Sequence, residues 1–345
     1  MNFENVFYFK KVNIIGGVET FIYNLSCLYK NFTFFYKEGN VEQIKRLSQN
    51  IEVIKYTNRK IKCKRFFCNY NPDIIDNVEA EEYIFIIHCN YMETQTPPPL
   101  NKKFTKYIGV SQTACDSFKE RTGLDAELIY NPLIVKKTET LKLKDKLYLI
   151  SATRLTKEKG GERINKLCNL LEKNNIDYEW VVYSNKRYKF TGKNIRIEQP
   201  KLDLRKEMEE ATFVVQLSDS ESFCFTVAES LMLGTPVIIT DLPVFKEIGC
   251  KHGENAIICD LGMKTVDISM IKNGISDFKY KPPKSNWNKY LNNKSAYNPE
   301  EKIKVRATHR LWLTEENLHI AYNQEVNISK IRASELECRG LIERL

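Results

Sequence analysis

The sequence predicts an α/β protein of two doubly wound domains, followed by a small third unit. Three observations carry that expectation. Short apolar runs alternate with helix-period segments, the pattern of parallel strands covered on both faces. The alternation runs through once, is interrupted by a charged stretch at 136–146, and then runs through again. Beyond a polar linker at Asn292–Glu301 the pattern changes to strand-like and helical segments that fit neither repeat. At 345 residues the chain is long enough for two domains.

The first repeat covers residues 1–135. Val6–Phe9 reads as its first strand, and Gly16-Gly17 precedes a helical pattern through Phe21, Leu25 and Leu28. Paired glycines before a helix let a backbone approach a ligand closely, although the same residues make an ordinary loop-to-helix turn. Phe32–Tyr36 and Ile51–Tyr56 are further strands, with a helix at Val41–Leu47 between them. Tyr83–Ile87 is fully apolar and is followed at once by His88. Ligands of open α/β sheets collect at the carboxyl ends of strands, so His88 is a candidate contact. Taken alone it reads as a structural loop histidine. Thr94–Leu100, with three consecutive prolines, is a loop expected to line the cleft. Tyr107–Ser111 is a strand leading to a helix near Ala114–Arg121 that stops at Gly123, and Ile129–Pro132 leads out of the domain.

The second repeat covers residues 147–283. Leu147–Ser151 is a strand, and Arg154 and Lys159 bracket the turn between it and a helix holding Ile164, Leu167, Leu170 and Leu171. Two fixed cations there would favour a diphosphate leaving group as it gains charge. Taken alone they read as two solvated surface cations in a Lys-rich chain; it is together with Glu221 and Glu229 that they point to a diphosphate. Strands follow at Tyr178–Tyr183, Ile195–Ile197 and Phe213–Leu217, with a helix beginning at Leu204–Met208. The stretch 218–241, SDSESFCFTVAESLMLGTPVIITD, then gives a polar aromatic loop, a helix at Thr226–Leu233, a Gly234-Thr235-Pro236 stop and a strand at Val237–Thr240. Asn255–Ile258 is a late strand. Glu221 in the loop and Glu229 in the helix both adjoin apolar sequence, where an unpaired carboxylate is costly. Hydroxyls of a sugar and of a ribose are suitable partners. The free N–H groups at the helix start, near Phe225 and Thr226, suit a phosphate between them.

Glu221 to Glu229 with Leu233-Gly234-Thr235-Pro236-Val237-Ile238 resembles the donor site of GT-B glycosyltransferases, especially family 4, the retaining group 1 enzymes. Arg154-x4-Lys159 resembles their diphosphate clamp, Gly16-Gly17 their N-terminal glycine loop, and His88 their sugar-contacting histidine. The resemblance spans about residues 1–291. It departs at Cys224 and at Thr153, where the family usually and often, respectively, has glycine. It implies two Rossmann-like domains facing across a cleft, a connection at 136–146, and a crossover helix at 284–296 returning to the first domain. The implied activity is hexosyl transfer from a nucleoside-diphosphate sugar, UDP- or GDP-linked, with retention and without metal or tightly bound cofactor. His88, Arg154, Lys159 and Glu221 would be catalytic. Gly16, Gly17, Arg154, Lys159, Glu221, Phe225, Thr226 and Glu229 would bind the donor. Saccharide, lipid, protein and modified nucleic acid all stay open as acceptors. The alternative is a degenerate, non-catalytic sugar-nucleotide-binding or assembly protein, to which the two departures point.

Residues 303–345 resemble short C-terminal modules of phage structural proteins, which implies docking or oligomerisation. Val305–Leu313 reads as strand and Ser329–Arg339 as helix. Ten scattered cysteines without a C-x-x-C pair argue against a zinc site and for a reducing cytoplasm. No apolar run reaches about 18 residues, so no membrane span is expected, and a peripheral membrane position stays open. A net charge of +9 would suit anionic partners, but the many Asn, Ile and Lys residues favour a merely Lys-rich composition, and no aromatic-basic interleaving supports nucleic acid. Asp219-Ser220-Glu221 could imitate the metal-binding motif of the other glycosyltransferase fold, against which the paired Rossmann pattern argues. Glycogen-phosphorylase-like enzymes share the donor architecture, but no local signal for a lysine-bound pyridoxal cofactor is present.

Overall fold

A computed structural model describes residues 2–94, 96–136, 146–293 and 297–345. The first domain runs β1 (Asn2–Val12), α1 (Gly17–Leu28), β2 (Thr33–Gly39), α2 (Val41–Ser48), β3 (Glu52–Lys55), β4 (Ile61–Asn69), β5 (Val78–Ile87), β6 (Lys106–Gly109), α3 (Gln112–Thr122) and β7 (Glu127–Leu128). Its seven strands form one parallel sheet in the order β3-β2-β1-β4-β5-β6-β7. The second domain runs β8 (Leu147–Ala152), α4 (Gly161–Lys173), β9 (Tyr178–Tyr183), β10 (Ile195–Glu198), α5 (Arg205–Glu210), β11 (Phe213–Gln216), α6 (Phe225–Leu233), β12 (Val237–Thr240), α7 (Pro243–Glu247), β13 (Ala256–Cys259) and α8 (Ile268–Asn273). Its parallel sheet is ordered β10-β9-β8-β11-β12-β13. In both sheets the order reverses beside the first strand, which opens a crevice at the carboxyl ends there.

The apolar runs become central strands because both of their faces are covered. Ile84–Ile87 and Val237–Thr240 are buried throughout. One apolar cluster fills the first domain and continues through Phe223, Phe225 and Phe245 into the second, and another fills the far side of the second sheet.

Strand β4 has no counterpart in the sequence reading, which treated 61–69 only for its cysteines. Its first half alternates, with Ile61 and Cys63 buried and Lys62 and Lys64 exposed, and its second half, Phe66–Asn69, is wholly buried. The register β1–β4–β5 makes it the central strand of the sheet. The crossover segment does return to the first domain, but Trp287–Lys289 is a single 3-10 turn rather than a helix. Asn286, Asn288 and Asn292 are poor helix formers. The segment is held instead by Trp287, fully buried against Phe21 at 5.3 Å and Phe7 at 6.1 Å. Ser285 Oγ also donates to the Tyr130 carbonyl at 2.9 Å. Of the expected connection only Lys136 and Lys146 fall within the described residues, and 294–296 of the crossover and Gln95 of the proline loop lie outside them.

The C-terminal unit comprises β14 (Lys302–Ala307), β15 (Leu311–Leu313), β16 (Leu318–Ile320), β17 (Glu325–Ser329), α9 (Lys330–Cys338) and β18 (Ile342–Arg344). The expected single strand over Val305–Leu313 is two strands in different sheets. Thr308 turns the chain out by donating to the Gly340 carbonyl at 2.8 Å. The unit has its own small core and docks through α9 onto α2 and β3 of its own chain. Ser334 Oγ donates to the Val53 carbonyl at 3.0 Å, and Glu337 accepts from the Lys55 N–H at 3.1 Å. Thus α9 covers the edge strand of the first sheet, a position that otherwise invites pairing with another chain.

Candidate active site

Each sheet delivers its crevice residues to the same space. A cavity of about 1330 Å³ between the domains is lined by Gly16, Gly17, His88, Arg154, Lys159, Glu221, Phe225, Thr226 and Glu229, all nine of the residues singled out from sequence.

On the second domain, β8 leads into the turn carrying Arg154 and Lys159, and β11 leads into the loop carrying Glu221. The two turns are locked together. The Asp219 N–H donates to the Glu158 carbonyl at 2.8 Å, and Arg163 Nε donates to the Leu217 carbonyl at 2.7 Å. Gly160 has a φ of 78°, and a Cβ on it would fall 1.9 Å from the Leu217 oxygen. Glycine is therefore required there twice, for its backbone and for the close approach.

Glu221 Oε1 accepts from Lys159 Nζ at 2.7 Å, from Ser218 Oγ at 2.7 Å and from Gln216 Nε2 at 3.0 Å. Its Oε2 has no donor among the described residues. One oxygen thus fixes the carboxylate and the other is left to a ligand. Arg154 is exposed to the cavity and makes no hydrogen bond or ion pair with a described residue.

Helix α6 begins without a side-chain cap, because its N-cap residue is Cys224. The Phe225 and Thr226 N–H groups there have no intrahelical acceptor, so they and the helix dipole favour an anion. Cys224 has a φ of 69°. This left-handed backbone is the reason a glycine is expected at this position, and a non-glycine residue costs about 1–2 kcal/mol in it. Glu229 lies one turn further along α6. Its carboxyl accepts no hydrogen bond from a described residue, and burial, aided by Asp203, pushes its pKa up to about 7 against the opposing pull of Arg205 and Arg46.

On the first domain, β5 places His88 opposite these groups. Its ring packs edge-on against Phe21 at 4.8 Å, its Nε2 is buried with no partner among the described residues, and burial lowers its pKa to about 3. The imidazole is therefore neutral at physiological pH. Its carbonyl accepts from Ser222 Oγ of the second domain at 2.7 Å, a direct bridge across the cleft. Gly16 precedes α1 with an extended φ of −155°, so its backbone does not demand glycine. A Cβ on Gly17 would meet only Phe225, at 3.9 Å.

Sequence reasoning missed Gln216 as the third donor to Glu221, and it missed Asn69 and Asn131. Asn69 Nδ2, Asn131 Oδ1 and Gln216 Oε1 are buried, have no hydrogen-bond partner among the described residues, and belong to residues that line the cavity. A polar residue closing the apolar run Phe213–Val215 was the available signal for Gln216. Among the described residues no group of three or more His, Cys, Asp or Glu could hold a metal, and no helix is long and apolar enough to cross a membrane.

Residues 135–286 match the family model described as glycosyl transferases group 1. No curated protein matches the chain. Among solved structures, Anabaena Alr3699/HepE in complex with UDP and glucose is similar at 12% identity, over 78% of this chain and 89% of that one, with a TM-score of 0.62. A glycosyltransferase from Rickettsia africae ESF-5 is similar at 12% identity over 75% and 84%, with a TM-score of 0.56. The lipopolysaccharide outer core galactosyltransferase WaaB, in its apo form, is similar at 13% identity over 81% and 92%, with a TM-score of 0.53. At such identities the likeness is one of fold, and that fold is GT-B.

Proposed function

We propose that this GT-B protein, whose residues 135–286 form a group 1 glycosyl transferase domain, moves a hexosyl group from a nucleoside-diphosphate sugar to an acceptor hydroxyl with retention of configuration. The observation that carries the reading is the convergence on one cavity of Arg154, the Lys159–Glu221 pair, the uncapped start of α6 and the unpartnered Glu229. The donor is a UDP-sugar in this reading, as UDP is the nucleotide bound in the HepE structure.

In the mechanism, Arg154 and the α6 N–H groups hold the diphosphate, and Lys159 adds positive charge beside it. These groups gain strength as the glycosidic bond breaks and the charge moves onto the leaving phosphate. Glu229 accepts from the ribose hydroxyls. Glu221 Oε2 accepts from the sugar, oriented by the three donors on Oε1. Neutral His88 donates or accepts one hydrogen bond through Nε2. No side chain is placed as a nucleophile. The departing phosphate oxygen takes the acceptor proton on the face it leaves, so the protein's part is orientation and charge stabilisation. Cys224 and Thr153 remove none of these groups, which supports transfer over a degenerate binding role.

Thermal denaturation against a panel of nucleotide sugars tests the reading. One donor should raise the melting temperature of the wild type and not of Arg154→Ala or Glu229→Ala. No shift with any donor at millimolar concentration would refute it.

A further inference from the structure

The donor-binding groups all come from the second domain except His88 and the glycine loop, which leaves the wall formed by the first sheet for the acceptor. That wall is built at the carboxyl ends of β1 and β4, where the strand order reverses. Two adjacent residues stand there. Asn69 closes β4, is only 4% exposed, lines the cavity, and has no side-chain hydrogen bond to any described residue. Tyr70 follows with a φ of 43°, a conformation that bulky residues rarely adopt; the residue is 49% exposed, lines the cavity, and its hydroxyl donates to the His88 carbonyl at 3.4 Å. A strained backbone thus presents an aromatic face beside a buried, uncommitted amide.

We propose that Asn69 and Tyr70 form the acceptor subsite and that the acceptor is a neutral saccharide; the inference rests on the sugar-transfer reading above. An amide offers a donor and an acceptor side by side, which matches a pair of ring hydroxyls. The ring of Tyr70 matches the apolar C–H face of a pyranose. The charges of this wall balance and so give an anionic acceptor no net attraction. Lys10 shares Asp73 with Lys37, at 3.3 and 2.8 Å, Lys11 is paired with Glu38 at 2.9 Å, and Glu19 and Glu93 add carboxylates to the lining.

The test uses the full chain, UDP for thermal shift, and transfer assays from the UDP-sugar that raises the melting temperature to neutral methyl glycosides and the corresponding sugar phosphates. Transfer to a neutral glycoside should exceed transfer to its phosphate. Asn69→Ala should raise the acceptor KM about tenfold or more while keeping the UDP-induced shift. Tyr70→Ala should do the same and Tyr70→Phe should restore the wild-type value. Because Tyr70 is exposed, its variants report even if loss of buried Asn69 impairs folding. A UDP shift accompanied by transfer that prefers sugar phosphates, or by unchanged KM in the Tyr70 variants, would overturn the subsite alone; a UDP shift with no transfer to either acceptor class would overturn the transfer reading as well. Absence of any nucleotide-induced shift would overturn the sugar-transfer reading and this inference with it.

Discussion

Lys159 Nζ lies 2.7 Å from Glu221 Oε1, with both side chains largely withdrawn from solvent. The cation of one turn is thereby spent on orienting the carboxylate of the next, and the two residues act as a unit. Glu221→Gln should lower kcat/KM by about a hundredfold, as a charge-assisted hydrogen bond to the transferred sugar is lost. Lys159→Ala should lower it comparably. The double variant should be little worse than either single one, because the same arrangement is broken each time. Steady-state transfer rates of the three variants decide this, and full additivity would contradict the coupling.

Glu229 makes stability fall as pH rises. Its folded pKa stands near 7, above that of an unfolded glutamate, so the folded state binds the extra proton between these values. The resulting contribution is present in full below the unfolded pKa and is lost as pH approaches and passes 7. Glu229→Gln removes this dependence. The variant should gain melting temperature relative to wild type at pH 8 and much less at pH 5, while losing donor affinity. Thermal scans at the two values, with and without nucleotide, check both halves.

Cys224 occupies a left-handed backbone at φ 69°. Cys224→Gly should relieve roughly 1 kcal/mol and raise the melting temperature by a few degrees. Its transfer rate should be equal to or above that of wild type, because the N–H groups of α6 keep their direction. A fall in both stability and rate would show that the thiol itself is needed.

Arg344 is buried with Glu337 at 3.2 Å and also donates to the Val53 carbonyl at 2.6 Å. Arg344→Met leaves Glu337, already pushed towards neutrality by burial, without its ion-pair partner and with only the Lys55 N–H. The loss should be about 3 kcal/mol or more. Denaturant unfolding measures it, and exposure of the β3 edge should show as aggregation near the midpoint.

Much of the site was legible because its chemistry is written in short-range spacing. Arg154 and Lys159 share one turn, and Glu221 and Glu229 share one loop and helix, so local periodicity brings each pair near the other. The segments the reading lost are those whose identity depends on neighbours. Ile61–Asn69 becomes a strand because β1 and β5 flank it, and its polar residues gave no apolar run to notice. Trp287 replaces a helix by anchoring in the aromatic core of another domain.

The sequence by itself determined the two doubly wound domains, most of their strands, and the cations and carboxylates that the second domain brings to the cleft. Burial on both faces forces apolar runs into parallel strands, and helix starts and turns are local. Only the tertiary structure decided that Lys159 fixes Glu221 rather than standing free, that Glu229 has no hydrogen-bond partner among the described residues, and that Asn69 and Tyr70 face the cleft. It also decided that the C-terminal unit covers an edge of its own chain. These depend on contacts between residues far apart in sequence, and one-dimensional spacing carries no distance across a cleft.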